Sequence, residues 1–460
     1  MIVDWLIEAL PFLMLGSLAL LLFSGLPVAM VLFGLGTTFC LVGILLGEMP
    51  VAALFTIPAK LESGLKGSLF YPAVAMLLFM GVALERSGIA QDMLRCLQLM
   101  TRRIPAGLSI SVLLIGVILA PAAGIVGASV VTLSLIALPA MLRAGHSPEI
   151  ASGSVAAAGT VGIILPPAVM LFFLANQFQV PLGSMFTATV VPGAILLLLY
   201  MLFFIFAEKR RPTVSKAKVV DGPDNPLAWV LLLTRGLIAP TLLIGVVLGS
   251  IIAGLATPSQ SGAVGAAGAL LLIVLNGRMS WVLFKDLIET TARLSAMVFF
   301  IIMAAAVFSY PFRYFGGDMA VADALMALDM GEWQTLLLIV FIVFVLGFFI
   351  DWIEITIITL PLFYPLLLEL DFAGHLASGK TTMLWIAAVM ALVLQTSFLT
   401  PPFGFALFFL KGSAPPEVSL AHIYRGIVPI VLIQLAVIAL ILFAPDLVLW
   451  LPELAYGAIR

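Results

Sequence analysis

The chain has 460 residues, of which 63% are hydrophobic and 10% charged, with a formal net charge of −2. Soluble domains carry about 25% charged residues, and nothing here offers a basic surface for phosphate backbones; a soluble enzyme, a nucleic-acid binder and a disordered chain are excluded. Cys40, Cys96, His146, His375 and His422 are scattered, without metal-ligand spacing.

What remains is an all-α polytopic membrane protein. Uncharged runs cover 9–47, 67–84, 104–142, 150–207, 236–277, 294–312, 333–350, 381–410 and 426–445. A spanning helix needs about 20 apolar residues, so the longest runs hold two segments each. About 11 transmembrane segments plus two re-entrant hairpins are expected.

In chain order, the acidic start MIVDWLIEALP reads as the opening of the first helix, not as a cleaved signal. Scaffold helices fill 1–85. Residues 88–104 mix charge and apolar residues at helical spacing, as arms along a membrane surface do. A hairpin over 105–143, a broken helix over 149–180 and a helix over 188–207 complete a first repeat, 1–207. Residues 208–226 form a linker rich in Lys, Arg, Pro, Gly and Asp, assigned to the cytoplasm by its basic residues. The second repeat, 227–460, holds scaffold helices (228–311), an arm (319–331), a hairpin (333–370), a broken helix (381–411) and a helix (424–450). Within it, 279–293 has the same surface-lying pattern as 88–104.

Sidedness follows from the basic residues. An N-terminus outside places Arg86, Arg143, the linker, Arg235, Arg278 and Arg425 inside. Only Lys60, Lys66, Arg313, Lys380 and Arg460, of 21 Lys and Arg, then lie outside. Both termini fall on the outer, periplasmic side. Each half makes an odd number of crossings, so the two halves have opposite orientation.

The halves also share a motif order. GASVVTLSLIALPAML (127–142) precedes PPAVMLFFLA (166–175), and DWIEITIITLPLFYPLL (351–367) precedes PPFGFALFFLK (401–411). Consecutive prolines remove two backbone donors and disfavour helix just before them. A helix broken inside the bilayer strands polar backbone groups. Each pair is then either a kink in a packed helix or the lining of an ion or substrate site, and two pairs in equivalent contexts favour a secondary transporter with its site at the repeat interface.

Polar residues gather at both breaks. Gly124, Gly127, Ser129, Gly159, Thr160 and Gly162 offer carbonyls and hydroxyls suited to an alkali cation, or simply close helix packing. Gln395, Thr396, Ser397 and Thr400 form the matching set, with Gly347 and Asp351 at the opposite hairpin tip. Asp351 either attracts a cation or caps a helix. Glu354 is the other acid of that region. A third island, GLATPSQSGAVGAAGAL (254–270), reads as an N-cap at Thr257 with Pro258 at N1, or as substrate contact through Ser259 and Gln260.

These motifs, in this order, resemble the large membrane subunit of tripartite ATP-independent periplasmic (TRAP) transporters, the DctM-like family. The best-matching stretches are 127–167, GSIIAGLATPSQSGAVGA (249–266), GFFIDWIEITIITLPLF (347–363) and QTSFLTPPFGFALFF (395–409). The resemblance implies an elevator-type carrier of the ion-transporter superfamily in the bacterial inner membrane, driven by two sodium ions. It implies a small four-helix, DctQ-like membrane subunit and a soluble periplasmic, DctP-like binding protein that delivers small organic acids. One sodium site would involve Gly127, Ala128, Ser129, Gly159 and Thr160. The other would involve Gly347, Asp351, Gln395, Ser397 and Thr400. Substrate would meet Ser129, Pro166, Pro167, Ser259, Gln260, Pro401 and Pro402. The family usually has Thr-Glu where this chain has Ser259-Gln260, which removes a carboxylate. The alternative is a stand-alone sodium/organic-anion carrier needing no binding protein. An intramembrane enzyme finds no nucleophile–base pair, and a channel is opposed by the paired breaks.

Overall fold

The computed structural model describes residues 2–22, 24–66, 70–104, 106–123, 126–209, 225–372, 374–376, 379–401 and 404–457. Among these residues the secondary structure is helical, without strands. The first half holds α1 (Ile2–Leu22), α2 (Val28–Leu45), α3 (Ala52–Lys66), α4 (Tyr71–Arg86) and α5 (Ile89–Thr101). It continues with α6 (Gly107–Ala123), α7 (Val126–Arg143), α8 (Pro148–Val161), α9 (Val169–Gln177) and α10 (Leu182–Lys209). The second half holds α11 (Pro226–Ile252), α12 (Pro258–Leu275), α13 (Trp281–Tyr314), α14 (Gly317–Met326) and α15 (Glu332–Leu346). It ends with α16 (Trp352–Glu369), α17 (Gly379–Ser397), α18 (Phe405–Ser413), α19 (Leu420–Phe443) and α20 (Asp446–Tyr456).

Seven of these helices are long and apolar enough to cross a membrane, and nine if each of two bent pairs is one span. The bent pairs are α4 with α5, at 64°, and α8 (with its 3-10 extension to Ile164) with α9, at 44°. Of the hairpin helices, α16 is one of the seven, while α6 and α15 are shorter. At about 1.5 Å per residue, the 15 residues of α15 reach only about 23 Å, less than a hydrocarbon core of about 30 Å. α11 and α16 each contain a π turn, Thr234–Ile238 and Ile355–Thr359. Each turn ends two residues before a proline, Pro240 or Pro361, whose missing N–H interrupts the helical ladder.

Packing gathers the helices around two centres, which meet where α6 lies against α4 and α5. In one, α13 packs on α2, α3 and α4, and α12 on α4 and α11. The other is built around α8 and α17, buried from Ile150 to Val161 and from 381 to 399. α8 packs against α6, α7 and α19, and α17 against α10, α15 and α19. Small residues permit this. A Cβ on Gly153 would sit 2.6 Å from the Gly426 carbonyl oxygen, and one on Gly116 only 2.1 Å from that of Ala158. Backbones touch directly, as at small-residue helix interfaces in membranes.

Two segments differ from the sequence reading. Residues 281–293 are not a separate arm but the opening of α13, continuous for 34 residues. No Gly or Pro interrupts 281–310, so the charged first turns extend the helix past the uncharged stretch. The connection between the second and third expected crossings contains a helix, α3, which carries Pro58 and charges at Lys60, Glu62 and Lys66.

Contacts between distant parts of the chain sort by end. Arg86 pairs with Asp286 at 3.3 Å, and Arg278 with Asp92 at 2.7 Å. Glu208 accepts from Ser109 Oγ at 2.6 Å and lies 3.1 Å from His146 Nδ1. At the other end, the Tyr314 hydroxyl donates to the Glu48 carbonyl and that of Tyr456 to Ile252, each at 2.9 Å. Each of these contacts joins residues that the basic-residue count puts on one face.

Candidate functional site

The first hairpin and break are built from α6 to α9. α8 starts with Ser147 as N-cap, accepting from the Ile150 N–H, and Pro148 at N1. It passes into a 3-10 turn over Gly162–Ile164 and stops at Leu165, whose extended backbone leads into Pro166 and Pro167. The helix resumes at Val169. Gly159 faces the opening turn of α7: a Cβ there would come within 2.5 Å of Val130 Cγ2 and 3.3 Å of Val130 N. Gly159 thereby meets the opening turn of α7, which also carries Gly127 and Ser129; these three and Thr160 are buried. Ala128 lies on the same turn of α7, its side chain outside the described residues. The tip residues Gly124 and Ile125 are likewise outside them.

The second hairpin and break repeat the plan. α17 ends at Ser397, and residues 398–401 and 404 carry the chain to α18 through Gly404, at φ +27°. Gly347, closing α15, lies on Ser397: a Cβ there would sit 1.9 Å from Ser397 Oγ. Gln395 is fully buried, and neither atom of its amide has a hydrogen-bond partner among the described residues. Pro401 is half-buried at the break, and Pro402 lies outside the described residues.

The hydroxyls share one orientation. Thr160 donates to the Ala156 carbonyl at 3.0 Å, Thr396 to Leu392 and Ser397 to Leu394 at 2.7 Å, and Thr400 to Thr396 at 2.9 Å. Each proton is directed back along its own helix, which leaves the oxygen lone pairs for an outside donor or cation. With the unpaired Gln395 carbonyl, the donor set is neutral oxygen, the chemistry of a hard monovalent ion. Among the described residues no group of three His, Cys, Asp or Glu could hold a metal.

The two acids of the second tip have local partners. Asp351 is the N-cap of α16, accepting from the Trp352 N–H at 2.9 Å. Glu354, in the first turn of the same helix, turns its carboxylate back toward the Asp351 backbone N–H. One Glu354 oxygen is buried and, among the described residues, unpartnered. The third island is also a cap. Gln260 Oε1 accepts from the Thr257 N–H at 2.9 Å, and Thr257 Oγ1 from the Gln260 N–H at 3.3 Å. Gln260 is exposed, and α12, which carries it and Ser259, packs on α4 and α11. Ser259 and Gln260 thus stand at the start of a helix in the group that includes α4, α11 and α13.

What sequence reasoning missed is how the two halves interlock. Phe173, on α9 after the first break, packs edge-on against Trp352 at the second hairpin, ring centroids 5.6 Å apart. Phe409, on α18 after the second break, lies over Gly127 of the first hairpin, 2.8 Å from where its Cβ would be. Phe173 and Phe409 are the same residue of the repeated Leu-Phe-Phe-Leu stretch. The repeat was the available signal, though nothing in it shows that each phenylalanine crosses to the other half. Tyr71 of α4 extends the contact, 6.5 Å from Phe173 and 6.0 Å from Phe299 of α13.

Comparison with known proteins gives the family. The family model for the tripartite ATP-independent periplasmic transporter, DctM component, matches residues 15–447. The C4-dicarboxylate TRAP transporter large permease protein DctM of Pseudomonas aeruginosa is 26% identical over 83% of this chain and 86% of its own length. The isethionate TRAP transporter permease protein DctMQ of Oleidesulfovibrio alaskensis is 24% identical over 95% of this chain and 66% of that longer protein. The structure of the Alcanivorax borkumensis YdaH transporter, described as having an unusual topology, shares the fold: TM-score 0.61, 18% identity, 88% of this chain and 91% of that one. The chain belongs to the DctM family of TRAP transporter large permeases, and it is a membrane transport subunit, not an enzyme.

Proposed function

We propose that this permease is a sodium-coupled importer of small organic acids, working as an elevator-type carrier in two inverted repeats with about eleven transmembrane segments. The observation that carries this reading is the reciprocal contact of equivalent phenylalanines, Phe173 on the second hairpin and Phe409 on the first. Each hairpin thus rests on both broken helices, and the four elements form one unit around the two breaks. Such a unit can move as a body against the helices that include α2, α4, α12 and α13.

Two sodium sites would use the oxygen sets already described. Gly127, Ala128, Ser129, Gly159 and Thr160 supply the first. Gly347, Gln395, Ser397 and Thr400 supply the second, with Asp351 adding its charge from the cap. Bound sodium would supply the positive charge that draws an organic anion to the space between the breaks. Pro166, Pro167, Pro401 and Pro402 would keep nearby backbone groups out of helical bonds and open to that anion. Relatives named for C4-dicarboxylate and isethionate support a small anionic substrate. TRAP family membership supports a small membrane subunit and a periplasmic binding protein as partners in the bacterial inner membrane, and the distribution of basic residues supports periplasmic termini.

The test is reconstitution of the permease with its small subunit, with labelled C4-dicarboxylate or isethionate supplied on the binding protein. Uptake should follow an inward sodium gradient and stop when the binding protein is left out. Uptake by this chain alone would establish the stand-alone carrier. Uptake indifferent to sodium would remove the coupling.

A further inference from the structure

We infer that α3 is an interfacial helix that seats the protein in the headgroup–acyl boundary of one leaflet, with lipid as its partner. Its inner face belongs to the fold: Ala53 and Ile57 are buried in a small core with Cys40, Met49 and Val307. The other side is apolar and open. Val51 is 61% exposed and Phe55 80%, with Pro58 and Ala59 exposed beside them. At 15 residues including Lys60, Glu62 and Lys66, α3 is too short and too charged to cross the bilayer.

Its depth follows from α13. The stretch of α13 from 294 to 312 is uncharged and ends at Arg313, which pairs with Asp318 at 3.2 Å. α3 packs on Val307, six residues before that charge, which is about 9 Å along a helix. Interfacial helices bury their apolar faces about 5–10 Å into this boundary. The polar rim fits the same level. Lys60 Nζ lies 5.3 Å from the Tyr310 ring centroid, and Tyr314 donates to the Glu48 carbonyl. Tyr and Lys collect where membrane meets water.

Continuity identifies the occupant. The turn leading into α3 leaves α2, a candidate span, whose last turns expose Leu41 at 46% and Leu45 at 85%. The chain carries exposed large apolar residues on both sides of that turn, so the surface of α2 that faces lipid runs on into Val51 and Phe55. A helix anchored there would hold the end of α13 at a fixed depth.

The experiment uses the full chain in phosphatidylcholine/phosphatidylglycerol vesicles, with Phe55→Cys labelled by an NBD fluorophore. Cys40 and Cys96 are buried and are replaced by alanine to keep labelling specific. Doxyl groups at acyl carbon 5 should quench position 55 at least about twofold more than groups at carbon 12, as a shallow site requires, with little quenching by aqueous iodide. Glu62→Cys should respond mainly to iodide, and Val51→Cys should repeat the Phe55 result. Iodide quenching at 55 equal to that at 62 would show a water-facing helix. Stronger quenching from carbon 12 would place it in the hydrocarbon core. Protection from both lipid and aqueous quenchers would show that protein, a second copy or another subunit, covers this face. Any of these three results overturns the assignment.

Discussion

Gly347 and Ser397 meet so closely that the second tip tolerates no side chain on the glycine. A Cβ would fall 1.9 Å from Ser397 Oγ, which itself donates to the Leu394 carbonyl. Gly347→Ala should slow uptake roughly tenfold, the effect of a little over 1 kcal/mol on a barrier, with normal membrane insertion. Adding Ser397→Gly should restore much of the rate; proteoliposome uptake of the pair checks this. Gln395 makes a different prediction. An unpaired buried amide costs about 1–3 kcal/mol in protein contexts, so Gln395→Leu should raise the melting temperature of the purified protein. The same variant should need more sodium for half-maximal uptake, since stability withheld at a site is commonly the cost of function. Unchanged sodium activation would remove Gln395 from the second set.

At the level of elements, the elbow between α4 and α5 is held by one guanidinium. Arg278 pairs with Asp92 and donates to the Ser87 carbonyl at 3.3 Å, over Gly88 at φ +78°. Arg278→Ala should raise hydrogen exchange at 87–92 several-fold, corresponding to about 1 kcal/mol for a partly exposed pair, while α8 stays protected. Exchange unchanged at the elbow would show that backbone packing alone fixes the bend. Much of this layer was legible in the chain. Uncharged runs, Leu-Pro pairs and Pro-Pro pairs marked both hairpins and both breaks, because proline acts on its own neighbours. α3 was hidden because its inward positions, Ala53 and Ile57, sit among charges and Pro58. The start of α13 read as an arm because an amphipathic pattern records a polar face and not whether the axis continues. At Thr257–Gln260 the capping signal read from the sequence matches the cap that the helix start forms.

For the whole molecule, the repeat was visible but the interlock was not. Phe173 and Phe409 match in sequence, yet their crossing to the opposite hairpin is tertiary information that no local spacing contains. The grouping of Arg86 with Asp286 and of Tyr314 with Glu48 at opposite ends agrees with the charge count, which depends only on composition along the chain. The central claim is that neutral oxygens at the two breaks bind sodium. Saturable binding of radioactive sodium to the purified permease tests it most directly, independent of substrate and partners. The account expects saturable binding that Ser129→Ala with Thr160→Ala weakens severely, in a protein that still folds and inserts. Binding unaltered in that double variant, or no saturable binding by the folded wild-type chain, would contradict it.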